Sequence, residues 1–366
     1  MVFIIYGTTG ELIKLLPLIS ELGKKQCYTI AFVQQQEQLE KFFAAYPNIP
    51  KPDLWLVKGH KGEDLSLMRH LPAWLYGSLR GFYSYKNNLI ARSSNKSIVL
   101  VHGDTVTTVF GIYVAKKLKL KLGHIEAGLR SFNIMNPFPE ELDRRIVSRF
   151  ADVNFAPGDV PVKNLRKSKV KGVVIDTGLN TVYDSIKYAH KFKPAITIGR
   201  LPKKYGIISI HRNELLANKK VLIKTIKTLA EYSKNMPMLF LQHPVTLARI
   251  KSLGISNLIE DNFICLPKLD YFSFIKLLDG AAFSVTDSGG LQEESAYLNK
   301  PCLVHRKATE RNEGIKEGIV LLSNYDDKIL RKFLDSPEAY RTKKDFIGAS
   351  PTQIIKNYLI KNKYLS

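Results

Sequence analysis

Three carboxylates stand where the chain leaves apolar runs, and such side chains can exchange protons with a bound substrate. Asp104 follows the run 98–102 in the motif His-Gly-Asp-Thr, and Glu126 closes the run 122–126. Glu140 follows a proline at a predicted helix start. Burial can tune the pKa of a carboxyl group for acid and base work. These residues are therefore predicted to form an acid/base site, although Asp104 and Glu140 would also suit an ordinary helix start.

Histidine and arginine occupy equivalent positions in the second half of the chain. His211 and Arg212 follow the apolar run 206–210, where histidine suits proton transfer and arginine suits a phosphate. His243 follows the next predicted strand, and its ordinary interpretation is a loop histidine with satisfied hydrogen bonds. We include His211 among the catalytic candidates, and Arg212 and His243 among the binding candidates.

A diphosphate-binding turn is predicted at residues 286–294, which read Thr-Asp-Ser-Gly-Gly-Leu-Gln-Glu-Glu. The backbone N–H groups at the start of a helix bind phosphate well. A carboxylate one turn into that helix can accept hydrogen bonds from ribose hydroxyls. The predicted ligand-binding residues are Ser288, Gly289, Gly290 and Glu294.

A second small-residue turn, Gly-Thr-Thr-Gly-Glu at residues 7–11, opens the first helix, with Lys14 one turn later. Its N–H groups and helix dipole suit a phosphate, but an ordinary strand-to-helix turn explains the same residues equally well. We include Lys14 among the binding candidates. Arg144 is a further binding candidate, and it can also form an ion pair with Glu140, four residues earlier on one helix face.

These candidates require parallel strands, because ligands bind beyond the carboxyl ends of the strands in open α/β sheets. Apolar runs alternate with amphipathic helical patterns, which predicts βαβ units. The predicted strands lie at 2–6, 29–33, 54–57, 98–102, 122–126, 153–156, 173–175, 206–210, 238–242, 283–286 and 302–304. The predicted helices lie at 11–22, 37–45, 106–118, 219–232, 270–278, 290–298, 329–333 and 352–364.

The pattern predicts an α/β fold with two Rossmann-like, doubly wound parallel-sheet domains facing a central cleft. The first domain is predicted at residues 1–176 and is joined by the C-terminal helix in 350–366. The second is predicted at 177–349, with a hinge near 177–181.

Composition restricts the class of protein. The chain has 366 residues, of which 45% are apolar and 24% charged, as in folded globular proteins. No apolar run reaches the length of a membrane span, and the N-terminus lacks the basic segment of a signal peptide, which predicts a cytoplasmic location. Cys27, Cys265 and Cys302 lack the spacing of metal ligands, so no metal site is predicted. The net charge of +22 comes without any nucleic-acid-binding motif, so nucleic acid is not an expected partner.

Long motifs resemble those of the non-hydrolysing UDP-N-acetylglucosamine 2-epimerases over nearly the whole chain. The motifs are HGDT at 102–105, HIEAGLRS at 124–131, PFPEELDR at 137–144, HR at 211–212, TDSGGLQEE at 286–294, KPCLV at 300–304 and TERNEG at 309–314.

The resemblance implies a GT-B-like fold with UDP bound between two domains, the second of which, 177–349, would hold it. It implies an isomerase without a cofactor, which eliminates UDP from UDP-N-acetylglucosamine to give a 2-acetamidoglucal. UDP is then added back to give UDP-N-acetylmannosamine, a precursor of surface polysaccharide. A homodimer is also implied.

The same resemblance assigns roles to individual residues. The acid/base set would be Asp104, Glu126 and Glu140, and His211 would assist near the diphosphate. Lys14 and Arg212 would face the phosphates. The residues holding UDP would be Ser288, Gly289, Gly290 and Glu294.

The chain departs from the family motifs around the nucleotide. Thr9 stands where the family has a phosphate-contacting arginine, Asn213 replaces an arginine, and Asn312 replaces a proline. The family run Q-H-R-E-M-L, linked to a regulatory site in bacterial members, reads Q-Q-Q-E-Q-L at residues 34–39. Epimerisation of a modified UDP-2-acetamido sugar therefore stays an open alternative.

A GT-B glycosyltransferase that uses a UDP-sugar donor is the other open alternative. Segment 71–89 mixes aromatic side chains with Arg80 and Lys86, and such a surface could contact an anionic membrane. A helix packed on the core would explain the same segment. Its apolar side chains are Trp74, Leu75, Tyr76, Phe82, Tyr83 and Tyr85.

Overall fold

The computed structural model describes residues 1–33, 36–57, 71–134, 138–196, 199, 201–342 and 348–365. The chain divides into two compact units. Unit 1 comprises Met1–Tyr188 with Gly348–Ser366, and unit 2 comprises Ala189–Ile347. The predicted domains, 1–176 with the C-terminal helix and 177–349, stay predictions.

Unit 1 contains a parallel sheet in which seven strands are described, in the order β3-β2-β1-β4-β5-β6-β7. Its strands are β1 (Val2–Tyr6), β2 (Cys27–Phe32), β3 (Leu54–Val57), β4 (Ile98–His102), β5 (Lys121–Ile125), β6 (Val153–Ala156) and β7 (Val173–Asp176). The strand order reverses direction between β1 and β4. Such a reversal opens a crevice at the carboxyl ends of the two strands.

Helices cover both faces of this sheet, as a parallel sheet with buried strands requires. They are α1 (Thr9–Gln26), α2 (Gln36–Ala45), α3 (Leu71–Arg92), α4 (Val106–Leu118), α5 (Glu140–Phe150), α6 (Asp159–Lys167) and α7 (Val182–Ala189). All residues of β1 and β4 are buried because these strands carry apolar side chains on both faces.

Unit 2 repeats this organisation with six described parallel strands in the order β10-β9-β8-β11-β12-β13. The strands are β8 (Gly206–Ser209), β9 (Met238–Gln242), β10 (Ile264–Pro267), β11 (Phe283–Thr286), β12 (Cys302–Val304) and β13 (Val320–Leu322). The helices are α8 (Asn213–Ala217), α9 (Lys219–Ser233), α10 (Pro244–Ser252), α11 (Ser256–Glu260), α12 (Tyr271–Gly280), α13 (Gly289–Tyr297) and α14 (Asp327–Asp335). A 3-10 turn covers Pro337–Tyr340. The strand order of unit 2 reverses between β8 and β11.

The C-terminal helix α15 (Pro351–Lys361) returns to unit 1. It packs against α1, and Lys356 forms an ion pair with Glu21 of that helix. At its start, the hydroxyl of Ser350 and the N–H of Thr352 both donate to the Asp184 carboxylate.

Two strands, β10 and β13, are absent from the sequence prediction. Both lie at the edges of the unit 2 sheet. Both strands are short and only partly covered. Their apolar runs, 263–266 for β10 and 319–322 for β13, have four residues each, too few to distinguish a strand from a buried helix segment. Their burial is accordingly incomplete, with exposed positions in β10 and half-buried ones in β13.

Helix α3 combines both interpretations of segment 71–89. Trp74, Phe82 and Leu89 are buried in the unit 1 core, whereas Tyr76 and Tyr83 are exposed by 68% and 53%. No helix in the described ranges is long and apolar enough to cross a membrane.

Candidate functional site

The predicted site residues collect at the two points where strand order reverses. In unit 1, Lys14 lies on the helix after β1, and Asp104 lies in the turn after β4. In unit 2, His211 and Arg212 follow β8, and Ser288 follows β11. Each set therefore lies where an open parallel sheet binds its ligand.

Glu126 lies one residue beyond β5, not within the strand predicted at 122–126. Its φ of +64° places it in the left-handed region, which is uncommon for a residue with a side chain and occurs preferentially at functional sites. This conformation ends the strand.

Three polar groups surround the buried carboxylate of Glu126. Its Oε2 accepts hydrogen bonds from Lys14 Nζ and Asn180 Nδ2, both at 2.6 Å. His102 Nε2 lies 4.0 Å from the same oxygen and 3.1 Å from the hydroxyl of Thr181. Lys14, predicted to face phosphate, thus has its ammonium group bound to a carboxylate in this structure.

Asp104 forms an ion pair with Arg144, whose guanidinium contacts Oδ2 through Nη2 at 2.6 Å and Nε at 2.8 Å. The prediction that Arg144 pairs with Glu140 is wrong, because among the described residues its ion pairs are with Asp104 and Glu141. Several carboxylates lie near the helix face that carries Arg144. Among them, Asp104, in the turn after β4, lies within hydrogen-bond distance of the guanidinium.

The first turn of α5 carries three acidic residues with different surroundings. Glu141 is fully buried and accepts hydrogen bonds from the N–H of Ser131 and from Arg145 Nε. Within the described residues, Oε2 of Glu140 and Oδ2 of Asp143 are buried without hydrogen-bond partners. Burial raises the pKa of Asp143 to about 7, and the charges of Asp104 and Glu140 add to this effect.

Together these contacts link the three predicted acid/base residues in one region of unit 1. Asp104 and Glu140 both act on Asp143 electrostatically. Asp104 and Glu126 both act on buried His124, whose pKa is nevertheless lowered to about 4, mainly by burial. Gly103 directly precedes Asp104 in the chain, and a Cβ at Gly103 would lie 3.9 Å from Oε1 of Glu126.

The turn at residues 7–11, for which phosphate binding stays a prediction, has a carboxylate of its own chain as a hydrogen-bond partner. The carboxylate of Glu11 accepts from the N–H groups of Gly7 at 2.7 Å and Thr8 at 2.8 Å. The hydroxyl of Thr8 in turn accepts from the N–H of Glu11, which completes a capping box. Thr105, beside Asp104, also donates to Glu11 at 2.5 Å. The turn therefore binds a carboxylate of its own chain.

In unit 2, Asp287 organises the loop after β8. Its fully buried carboxylate accepts from the N–H of His211 at 3.0 Å and from that of Arg212 at 2.8 Å. These bonds fix the backbone positions from which the His211 and Arg212 side chains extend. Burial raises the pKa of Asp287, while the two backbone hydrogen bonds and the nearby arginines oppose that rise.

His211 and His243 form a pair of neutral rings with centroids 4.5 Å apart. Burial is the main reason why the pKa of each is lowered to about 4, and neighbouring cations, including Lys268, add to it. His243 also has a hydrogen bond to Ser209 through Nε2 at 3.1 Å. The loop-histidine interpretation of His243 thus describes its contacts, but the residue lies beside the predicted catalytic histidine.

The turn after β11 leaves the start of α13 uncapped. Ser288 occupies the N-cap position but makes no side-chain capping bond. The first-turn N–H groups of a helix lack intrahelical acceptors. Gly289 and Gly290 are the first two helical residues, and a Cβ on Gly289 would lie 3.3 Å from Cγ of Arg311.

Buried polar groups surround α13. Glu294 is 9% exposed, and Glu293 binds Arg311 Nη1 at 2.7 Å. The hydroxyl of Tyr271 has no hydrogen-bond partner within the described residues, although it is buried near both glutamates. Arg212 Nη2 lies 4.0 Å from Glu310 Oε1.

Sequence reasoning did not select Asn180, Asp143, Tyr271 or Arg311 as site residues. Asn180 stands in the segment predicted only as a hinge, and Arg311 belongs to the motif TERNEG, to which the sequence assigns no role. Asp143 lies within the motif PFPEELDR, where it is the third acidic residue at one helix start and therefore gives a detectable signal. Tyr271 carries no local signal.

Two parallel α/β units, each with a reversal of strand order, define a protein of GT-B-like fold. A family model described as UDP-N-acetylglucosamine 2-epimerase matches residues 86–346. The UDP-N-acetylglucosamine 2-epimerase of Methanococcus maripaludis is 32% identical over 335 residues, covering 88% of this chain and 87% of that protein. The chain belongs to the UDP-N-acetylglucosamine 2-epimerase family.

Solved structures agree with this assignment. The UDP-GlcNAc 2-epimerase of Methanocaldococcus jannaschii, in complex with UDP-GlcNAc and UDP, has 26% identity and a TM-score of 0.76. The similarity covers 98% of this chain and 99% of that one. Phytolacca americana UGT2, complexed with UDP-2-fluoro-glucose and pterostilbene, shares the fold at 12% identity, with a TM-score of 0.60 and 99% coverage of both chains.

Proposed function

We propose that this chain is a UDP-N-acetylglucosamine 2-epimerase that interconverts UDP-N-acetylglucosamine and UDP-N-acetylmannosamine. The observation that carries the proposal is the cluster of Asp104, Glu126 and Glu140 in unit 1, in a chain of this family. A related structure contains UDP-GlcNAc and UDP. The product supplies precursors for surface polysaccharide.

The reaction needs a base at C2 of the sugar and a departing diphosphate at C1. A carboxylate removes the C2 proton as the bond between C1 and the UDP oxygen breaks, which leaves a 2-acetamidoglucal and UDP. UDP then returns to C1, and a carboxyl group delivers a proton to the opposite face of C2. Asp104, Glu126 and Glu140 are the proposed acid/base residues, because a carboxylate can accept a proton from a bound substrate and return it.

The cations of unit 1 support this assignment. Lys14 forms an ion pair with Glu126, and Arg144 forms one with Asp104, so both carboxylates have cationic partners in this structure. Either cation could transfer its hydrogen bonds to an oxygen of the leaving group. Lys14 and Arg144 therefore remain proposed substrate-binding residues.

Unit 2 is proposed to hold UDP. The uncapped start of α13 offers N–H donors from Gly289 and Gly290 to the diphosphate, with Ser288 beside them. Glu294 is placed one turn later for the ribose hydroxyls. Arg212 and His243 are proposed phosphate contacts, and neutral His211 would assist the departing diphosphate by hydrogen bonding.

Proton NMR of UDP-N-acetylglucosamine with the purified protein in D2O tests this function. We expect UDP-N-acetylmannosamine to appear with deuterium at C2, since the abstracted proton exchanges with solvent. An unchanged spectrum, together with measured UDP binding, would contradict this substrate. A modified UDP-2-acetamido sugar would then be assayed in the same way.

A homodimer in the cytoplasm is part of the proposal. Sedimentation velocity measures the oligomeric state directly, and a single species of one chain's mass would contradict the dimer. Sedimentation at several protein concentrations separates a weak dimer from a monomer.

The exposed aromatic face of α3 favours the second candidate, a glycosyltransferase that contacts an anionic membrane. Tyr76, Tyr83 and Tyr85 are exposed on this helix, and Lys86 lies over the ring of Tyr83. Such rings and cations suit a lipid headgroup region. Co-sedimentation with vesicles containing anionic phospholipid at physiological salt tests this contact, and its absence would remove the support for the transferase.

A further inference from the structure

Arg306 is a buried arginine that has no part in the proposed reaction. It lies two residues beyond β12, and its side chain is 5% exposed. A buried guanidinium needs charged or polar partners, because its desolvation is unfavourable. Arg306 forms ion pairs with Glu310, through Nη1 at 3.2 Å, and with Glu214, through Nη2 at 3.6 Å. The residue therefore holds two carboxylates at the carboxyl edge of the unit 2 sheet.

Glu310 lies between two arginines and beside the start of α13. Its Oε2 accepts a hydrogen bond from Arg306 Nη1. Its Oε1 lies 4.0 Å from Arg212 Nη2, which is too far for a hydrogen bond. A Cβ on Gly289 would lie 3.5 Å from the same Oε1. The carboxylate of Glu310 is thus adjacent to two groups that are proposed to bind the diphosphate, Arg212 and the first turn of α13.

A carboxylate and a diphosphate bind the same kinds of donor. Both accept hydrogen bonds from guanidinium groups and from the N–H groups at a helix start. If Arg306 did not hold it, Glu310 would compete with a diphosphate for Arg212 and for the start of α13. Its negative charge would also repel the ligand. Arg212 is 30% exposed, so its guanidinium is accessible to a ligand in this structure.

We propose that Arg306 is a positioning residue that holds Glu310, so that Arg212 and the start of α13 stay available to a diphosphate. The inference rests on the proposed UDP site of unit 2 and adds a residue that does not itself touch the ligand. The ion pair with Glu214 holds the other side of the guanidinium. Glu214 belongs to α8, which begins directly after Arg212. Arg306 therefore connects the segment that carries Glu310 to the helix that follows Arg212.

A pair of variants provides the decisive test. Arg306→Gln removes the cation that holds Glu310, and we expect the Kd of UDP to rise about tenfold or more. Arg306→Gln combined with Glu310→Gln also removes the competing carboxylate, so the Kd should return to within about threefold of the wild-type value. Isothermal titration calorimetry measures both. A purely structural role of Arg306 would not produce this recovery.

Two further variants serve as controls. Arg331→Gln is the matched control, because Arg331 also pairs with two carboxylates, Asp327 and Glu231, in helices that carry none of the proposed UDP contacts. Its Kd for UDP should stay within about twofold of the wild-type value. Glu310→Gln alone should bind UDP as tightly as the wild type or more tightly, since it removes a negative charge beside the diphosphate.

Thermal unfolding tests the contact between Arg306 and Glu310 without UDP. Removing one partner of a buried ion pair leaves the other charge unpaired. The loss of Tm in the double variant should therefore be smaller than the sum of the two single losses by about 3 °C or more. If Arg306→Gln does not fold, Arg306→Lys takes its place in the binding test. It keeps a cation but not the guanidinium geometry, so we expect a rise in Kd of about threefold, which Glu310→Gln removes.

Three results would overturn the inference. The first is an unchanged Kd in Arg306→Gln, and the second is a rise in Kd that persists when Glu310→Gln is added. The third is a tenfold loss of affinity in Glu310→Gln alone, because Glu310 would then contribute to binding and not compete with it. Failure of the proposed function gives a different result. In that case the wild type does not bind UDP at all, whatever the Tm measurements show about the contact.

Discussion

The starts of helices α1 and α13 have similar sequences but differ in their capping hydrogen bonds. Each follows a strand at the reversal of strand order, and each has a hydroxyl residue at the N-cap and glycine at the second helical position. The third helical position is Glu11 in α1 and Leu291 in α13. Glu11 closes its own turn with a capping box, whereas α13 has no side-chain cap. The two turns therefore differ in whether the third helical residue closes the turn with its own carboxylate.

The charged and polar side chains near the two helices also differ. Unit 1 pairs the carboxylates of Glu126 and Asp104 with Lys14 and Arg144. Unit 2 places the neutral ring of His211 beside an open helix start. The comparison supports the proposal that proton transfer takes place in unit 1 and that the diphosphate is bound mainly by unit 2.

The largest expected effect is a loss of turnover with little change in UDP affinity. Glu126→Gln should lower kcat by about a thousandfold, because an amide cannot accept the C2 proton, while the UDP Kd stays within about tenfold. Asp104→Asn and Glu140→Gln should behave similarly. Turnover from the NMR assay and UDP affinity from calorimetry measure the two effects. Near-normal turnover in two of these variants would invalidate the division between the units.

A matched pair of glycine substitutions tests the two helix starts. Gly290→Asp should weaken UDP binding by about a hundredfold, since it puts a negative charge among the N–H donors proposed for the diphosphate. Gly10→Asp introduces the same charge at the second position of α1 and should change UDP Kd by less than about threefold. A Cβ at either position meets nothing closer than 3.8 Å, so both variants should fold. Equal losses in calorimetric affinity would show that both turns contact UDP.

Stability in acid provides a third test, which concerns a buried histidine of unit 2. Burial lowers the pKa of His305 from 6.5 to about 4, and its ring bonds to Thr225 at 2.8 Å and Ser323 at 2.7 Å. Unfolding takes up a proton in this window, so the stability due to neutral His305 is present above pH 6.5 and lost as pH falls towards 4.

His305→Gln removes this titration. The stability difference between the wild type and His305→Gln should therefore shrink by about 1 kcal/mol between neutral pH and about pH 5. Urea unfolding at each pH measures the difference. A constant difference would mean that the histidine is not kept neutral by burial.

The smallest effect concerns the caps themselves. Thr8→Ala should lower the free energy of unfolding by about 1 kcal/mol, because it removes the acceptor for the N–H of Glu11. Ser288→Ala should cost less than about 0.5 kcal/mol, since Ser288 makes no capping bond. Denaturant unfolding of the two variants gives the comparison. A larger loss from Ser288→Ala would show that α13 is capped in solution.

Much of the fold could be predicted from local pattern. The central strands of both sheets are buried on both faces, so they appear in the sequence as continuous apolar runs. The edge strands β10 and β13 could not be found this way, because an apolar run of four residues does not distinguish a strand from a buried helix segment. Helix α3 was ambiguous because it packs Trp74 and Phe82 inward while Tyr76 and Tyr83 face outward.

By itself, the sequence determined which residues stand at strand ends and which motifs place the chain in its family. Those properties depend on neighbours along the chain. The tertiary structure alone decided the partners: Lys14 and Asn180 bind Glu126 across 112 and 54 residues, and Arg144 selects Asp104 across 40. It also left Asp143 buried beside like charges. The physical reason is that distance and desolvation, which set ion pairs and pKa values, arise only when the sheet brings separate strand ends together.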